Sequence, residues 1–364
     1  MMRITLAAYL GRKFFWSFLA SVGICIALIF FVETIENLRR AASHDVGIVT
    51  VVTLTLFRIP TLSEQVLPFA TLFAALATFL GLSRSLELVV VRSVGVSVWQ
   101  FIGPSVLLAF VIGVLGTTVF NPLAADLRAR HATLFAQSFT DRDLASLGAT
   151  SDQQVWLRQE GVDGQSILHA RVSDVRGENL RYVTAFVYDR SGHFVERVEA
   201  DTARIEQGHW RLTDALVIEP GRAPQQHPSY LISTYLTPEQ VREQIASADT
   251  VSFWNLPAHA RIAERTGVSS IPYRLQYQSL LARPLLLCAM VLIAATVSLR
   301  LFRYGNVGQM ILGGVVAGFV LYVLTKLASD LAIAGAISPA AAAWGPAAIA
   351  LLWGTTLLLY QEDG

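Results

Sequence analysis

Glu87, Val90, Val91 and Val94 share one helical face of a short segment, Ser83 to Ser97, that has helix-forming length and reaches a glycine suited to a C-cap at Gly95. A carboxylate in the first turn complements the helix dipole, and the valines beside it form an apolar strip. That is the chemistry of a helix docking into a partner's groove, and equally of an interfacial helix lying on lipid. Three more carboxylates, Glu33, Glu36 and Glu64, lie in or beside apolar runs, where an acidic side chain is a candidate for ion relay. Glu36 falls at the outer end of the first run and Glu64 near the start of the second. Interfacial solvation is therefore the expected role, ahead of proton coupling.

Other chemistries find no residues to carry them. A phosphate-binding P-loop needs Gly-Lys followed by Ser or Thr, yet the only lysines are Lys13, after Arg12, and Lys326, after Thr325. If ATP drives this chain, a partner binds it. None of the seven histidines forms HExxH. The nearest approach to a GxSxG elbow, Gly95-Val96-Ser97-Val98-Trp99, lacks its second glycine. Cys25 and Cys288 both fall in apolar runs, which favours packing over a disulfide or a metal pair. No catalytic or metal-ligating residue is assigned, no cofactor is expected on this chain, and a net charge of +1 gives no ground for a nucleic-acid partner.

The elements that must position these residues are membrane helices. At 53% hydrophobic and 15% charged, with mean hydropathy +0.50, the chain is too apolar for a pair of water-soluble domains. A hydrocarbon core of ~30 Å takes ~20 apolar helical residues. The first such run is 15–35, longer than a signal-peptide core and without a clear cleavage site, so it reads as a span. Residues 49–82 are interrupted by Pro60 and Pro68; a shallow helix to about Ile59 and a second span from about Ser63 to Leu82 are expected. The third is 98–120, stopped by Asn121-Pro122, and later spans are expected at about 277–299, 306–328 and 340–360. Arg3, Arg12, Lys13, Arg84, Arg92, Arg300 and Arg303 all fall on one side of this arrangement, which the positive-inside rule makes cytoplasmic, with both termini.

Between the third and fourth spans the pattern changes to period-two alternation. Val183, Ala185, Val187, Val195, Val198, Ile205, Trp210 and Leu212 recur between turn signals at Ser191-Gly192, Gln207-Gly208 and Pro220-Gly221. Short strands so spaced predict an antiparallel β-sandwich or jelly roll. Helix is expected over 122–140, 237–247 and 257–267. The insert holds many arginines and no lysine; a charge-balanced solvated surface is the plain reading, and guanidinium pairing with lipid phosphates the sharper one.

Leu82-Ser83-Arg84-Ser85-Leu86-Glu87-Leu88-Val89-Val90-Val91-Arg92-Ser93-Val94-Gly95-Val96-Ser97 resembles the cytoplasmic loop of the lipopolysaccharide-export permeases of the LptF/LptG family. Pro68 to Leu76, Tyr273 to Tyr277, Gly318 to Leu324 and the spacing of the last span extend the likeness over nearly the whole chain. The end of span one, Phe31 to Arg40, is closer to the G-type pattern than to the F-type, although Glu33 stands where G-type chains can carry a lysine. The resemblance implies an α-helical inner-membrane protein of six transmembrane helices, three plus three, around an inserted periplasmic antiparallel β-jellyroll. Its parts would be an N-terminal membrane half, 1–121, with a coupling helix at 84–95; a periplasmic domain with helical linkers, 122–272; and a C-terminal membrane half, 273–364.

In such a transporter the chain is a non-enzymatic permease subunit extracting lipopolysaccharide. Its implied partners are an LptF-like permease, an LptB-like ATPase dimer that binds ATP and Mg, and LptC- and LptA-like periplasmic proteins. The resemblance assigns ATPase docking to Arg84, Glu87, Val90, Val91 and Val94, lipid head groups to Arg39 and Arg40, and a gate to spans one and five. Gly314 and Gly318, as Gly-x-x-x-Gly, allow a close helix approach there or simple packing within the chain. The alternatives are a membrane-anchored β-domain scaffold or sensor, and a different lipid or lipoprotein export permease, the latter disfavoured by six spans around one insert.

Overall fold

The computed structural model describes residues 2–42, 47–85, 87–93, 95–138, 155–162, 164–170, 172–173, 179–237, 241, 248–265, 269–300 and 307–363. The helices are α1 (Met2–Ala41), α2 (Ile48–Arg84), α3 (Glu87–Ser93), α4 (Val98–Leu115), α5 (Asn121–Ser138), α6 (Leu256–Arg265), α7 (Ile271–Arg300), α8 (Val307–Ile333) and α9 (Pro339–Asp363). Among the described residues six helical stretches are long and apolar enough to cross a membrane: Thr5–Ala41, Ile48–Arg84, Val98–Ala132, Ile271–Ser298, Ile311–Ile333 and Pro339–Tyr360.

Two expected breaks do not occur. Residues 48–84 form one helix with Pro60 and Pro68 inside it, rather than a shallow helix followed by a separate span. A proline removes one backbone hydrogen bond, but packing by neighbouring helices holds a membrane helix through that loss. Nor does Asn121-Pro122 stop the third span. α4 passes through a π-helical segment, Gly116–Phe120, into α5, so the helix continues through Pro122, the wider π turn lying just ahead of it. Asn121 is fully buried and works as a joint: its Nδ2 donates to Glu64 Oε2 at 3.3 Å, and its Oδ1 accepts from the Phe253 backbone N–H at 2.9 Å.

α2 and α7 are the pillars of the bundle, and their buried side chains, with Phe14, Phe101 and Ile102, form its core. Close approach depends on small residues. A methyl built on Gly113 of α4 would lie 2.5 Å from Pro284 Cα of α7, and one on Gly354 of α9 would lie 3.0 Å from Leu292 Cβ.

The insert is an antiparallel sheet of β1 (Val155–Gly161), β2 (Gly164–Ala170), β3 (Val172–Ser173), β4 (Asn179–Tyr188), β5 (Phe194–Glu206), β6 (His209–Ile218) and β7 (Gln225–Ser233). Its order is β1-β2-β4-β5-β6-β7, with β3 also on β4. The turns expected from sequence are there, with Gly192, Gly208 and Gly221 at φ near +80° (84°, 80° and 79°), a conformation other residues rarely adopt. The sheet curls until β1 and β7 meet at one end, where the Tyr235 N–H donates to Glu160 O at 2.9 Å.

The alternation changes phase partway along the central strands. Buried positions run Leu180 then Val183 and Ala185 on β4, Glu196, Val198 and Ala200 then Ala203 and Ile205 on β5, and Trp210 and Leu212 then Ala215 and Val217 on β6. Tyr182 (φ +49°) and Asp214 (φ +54°) sit at that crease. On β5 Glu196 is buried and its apolar neighbour Val195 is exposed; the Glu196 carboxylate accepts the Tyr230 hydroxyl at 2.6 Å. The helix expected over 237–247 lies largely outside the described residues, and α6 stands where 257–267 was expected.

Candidate functional site

The sequence-predicted residues separate into two polar clusters at opposite ends of the bundle and an apolar surface between them. The first cluster is built on α3. Arg84 ends α2 and is exposed, so the helix of the docking segment is Glu87–Ser93 rather than 84–95, and Gly95 (φ +82°) reverses the chain behind it. Leu88 and Val91 pack onto the bundle core, whereas Val90 is 62% exposed and points outward. Val91 thus does not share a free face with Val90, and Val94 lies outside the described residues.

The Glu87 carboxylate is engaged within the chain. Ser85 Oγ donates to its Oε1 at 2.8 Å, Lys13 Nζ reaches the same oxygen at 3.1 Å, and the Tyr9 hydroxyl donates to Oε2 at 2.9 Å. Lys13 also donates to Tyr9 Oη at 3.2 Å. Partial burial pushes the Glu87 carboxyl up, but the hydrogen bonds from Ser85, Lys13 and Tyr9, with the lysine charge, outweigh it and hold the group below the usual carboxylate range.

The second cluster lies at the β-domain end. Glu64 is 20 residues from Arg84, about 30 Å along a helix, which is one hydrocarbon thickness. At that depth interfacial solvation was expected; instead Glu64 is buried and pairs with Arg283 NH1 of α7 at 3.1 Å, side-chain exposures being 8% and 16%. Glu33 pairs with Arg58 of α2 at 3.2 Å. Arg39 and Arg40 both hold Glu36, at 2.9 and 3.0 Å, and differ in presentation: the Arg39 side chain is 74% exposed and that of Arg40 16%. Arg58, Arg283 and Tyr9 carry no assignment from sequence, and Lys13 only that of marking the cytoplasmic side. The signal available for the two arginines was a lone cation inside an apolar run, which at that depth calls for a carboxylate partner.

Between the clusters, burial divides the spans sharply. In the most apolar stretch of α2 61% of residues are buried, and of α7 72%; for α1 and α8 the figures are 6% and 17%. The open face of α1 carries Trp16, Ile24, Leu28, Phe31 and Val32, and that of α8 carries Leu312, Val316, Phe319 and Val320. Gly314 and Gly318 face inward: methyls there would lie 2.8 Å from Leu76 and 2.5 Å from Leu72, so both glycines seat α8 on α2. Phe69 and Tyr322 extend that contact, ring centroids 5.5 Å apart.

A family model described as lipopolysaccharide export system permease LptF/LptG matches residues 8–360. The chain is similar to the lipopolysaccharide export system permease protein LptG of Escherichia coli K12, 24% identical over 368 residues that cover 97% of this chain and 98% of that protein. It is likewise similar to LptG of Haemophilus influenzae, 21% identical over 342 residues covering 90% and 91%.

Proposed function

The chain belongs to the LptF/LptG family of lipopolysaccharide export system permeases, and on that premise we propose that it is the G-type permease of an ABC transporter in the bacterial inner membrane. Its second permease is LptF-like, its motor is an LptB-like ATPase dimer that binds ATP and Mg, and its cargo leaves through the β-domain to LptC- and LptA-like periplasmic proteins. The end marked by Lys13 and Arg84 is cytoplasmic, with both termini, and the β-domain is periplasmic.

The observation that carries this reading is the contrast in burial between the spans. Moving a lipid acyl chain into water costs ~0.8 kcal/mol per CH₂, so a lipid exporter must offer continuous apolar surface from the bilayer outward. The open faces of α1 and α8 are that surface, and a second permease closes it. Arg39, with Arg40 behind it, meets the phosphates of the head group at the periplasmic mouth. Arg84 and Val90 are presented to the ATPase, with α3 held beneath them by Leu88 and Val91.

Affinity purification of the tagged chain from native membranes in mild detergent, with mass spectrometry of what is retained, tests this. A soluble ABC ATPase and a second six-span permease are expected. Recovery of neither, under conditions that keep a known transporter complex together, would leave a membrane-anchored scaffold as the better description.

A further inference from the structure

We propose that the connection returning from the β-domain, Val251 to Leu256, is seated in the outer leaflet of the bilayer rather than in the periplasm, with Trp254 as its contact with phospholipid. This placement uses only the spans and does not depend on the transporter reading. Trp254 is 62% exposed, yet its indole Nε1 donates to Thr118 O at 3.1 Å, in the π-helical part of the third span. Thr118 precedes Asn121, the partner of Glu64, by about 4.5 Å of helix, so it stands within the hydrocarbon thickness counted outward from Arg84. The ring thus sets its polar edge on a helix carbonyl and leaves its apolar face open, beside the exposed Leu115 and Val119 of the same span. The boundary between lipid and water favours a tryptophan with its polarity divided in this way.

The backbone of the connection fits that setting. Non-helical chain persists at membrane depth only where its polar groups find partners within the protein. The Phe253 N–H donates to Asn121 Oδ1 at 2.9 Å, those of Asn255 and Leu256 to Ser252 O at 2.9 and 3.1 Å, and that of Val251 to Ala248 O at 3.4 Å. Val251, Phe253 and Leu256 are buried with Tyr273 and Leu280 of α7, and the Phe253 ring stacks on Tyr277, centroids 5.3 Å apart. Charge appears only at the outer end, where Arg128 of α5 donates to Asp249 O and pairs with the Asp249 carboxylate at 3.8 Å. A charged pair at Asp249, a largely self-satisfied backbone from Val251 and one open aromatic at Trp254 follow the order of media met on entering a bilayer. The apolar surface assigned to a second permease lies on α1 and α8, whereas Trp254 rests on the third span, so lipid and not that partner is its neighbour.

Fluorine NMR of the full chain in phosphatidylcholine nanodiscs, with fluorotryptophan at all seven tryptophan positions, tests the placement. Trp254→Phe identifies one resonance by its loss. Trp156→Phe and Trp353→Phe identify two controls, the first exposed on the β-domain and the second exposed on α9. A phosphatidylcholine spin-labelled near its glycerol backbone is expected to broaden the Trp254 signal several times more than that of Trp156, as it does for Trp353. A water-soluble gadolinium chelate is expected to broaden Trp156 several times more than Trp254.

Broadening of Trp254 by the chelate to the extent seen at Trp156 would put the connection in water and overturn the proposal. A response to neither probe would mean that protein covers the ring, and overturns it equally. In spectra of the assembled transporter the lipid effect on Trp254 should persist; its loss there would make the second permease, and not lipid, the occupant.

Discussion

In their most apolar stretches α2 and α7 are mostly buried, whereas α1 and α8, equally apolar there, are mostly not. Hydropathy does not distinguish the two pairs; the difference lies in what each can approach. α7 admits close neighbours where a glycine stands, Gly113 at Pro284 and Gly354 at Leu292, and α2 receives the glycine face of α8. α1 packs on α2 and α4, and α8 on α7, α9 and, through its two glycines, α2; both turn large side chains outward on the other side. The buried pair holds the fold, and the open pair is the surface proposed above to meet a second chain and a lipid.

The largest effect is expected where the pillars share a charge. Arg283→Met leaves Glu64 buried without its cation, at a cost of about 3–5 kcal/mol, read as a loss of thermal stability in detergent. Adding Glu64→Gln should recover most of it; if the double variant is no better than the single one, the pair is not the pillar joint claimed here. Gly113→Val comes next. The new side chain meets the backbone of Pro284, which cannot swing aside, and about 1–3 kcal/mol of overpacking follows in the same assay.

On the open pair the expectation reverses. Phe319→Ala and Phe31→Ala should change the stability of the isolated chain by no more than about 0.5 kcal/mol, yet weaken retention of the second permease or of lipopolysaccharide. A large stability loss at either position would erase the distinction between the pairs. The smallest effect is at Glu87, the acid that Tyr9, Lys13 and Ser85 hold. The Glu87 carboxyl is held below its unfolded value, so its contribution is present above that value and is lost as pH falls through the lower folded one. Protection of α3 in the isolated chain should be flat from about pH 8 to 5 and decline only below the ordinary Glu value of about 4.3.

Much of this architecture was legible in the sequence because it rests on local signals. Six apolar runs of spanning length, and glycine turns at 192, 208 and 221, need no partner to be recognised. The failures share one cause. Local rules end a helix near Pro60 and again at Asn121-Pro122, and tertiary packing carries the helix through both. Glu64 finds its cation on α7 and Glu87 finds its own on α1, partners that spacing along one chain does not reveal. On β5 the strand is legible, but not that its apolar Val195 stays exposed while Glu196 turns in, and the change of phase near Tyr182 and Asp214 leaves no mark in hydropathy.

The contrast between the span pairs is tested most directly by a photo-crosslinking residue placed at position 31, 319 or 290 of the chain in native membranes. The account predicts that 31 and 319 capture a second six-span permease and lipopolysaccharide, while 290, where Met290 is buried in α7, captures only this chain. Capture within this chain alone at all three positions would contradict it.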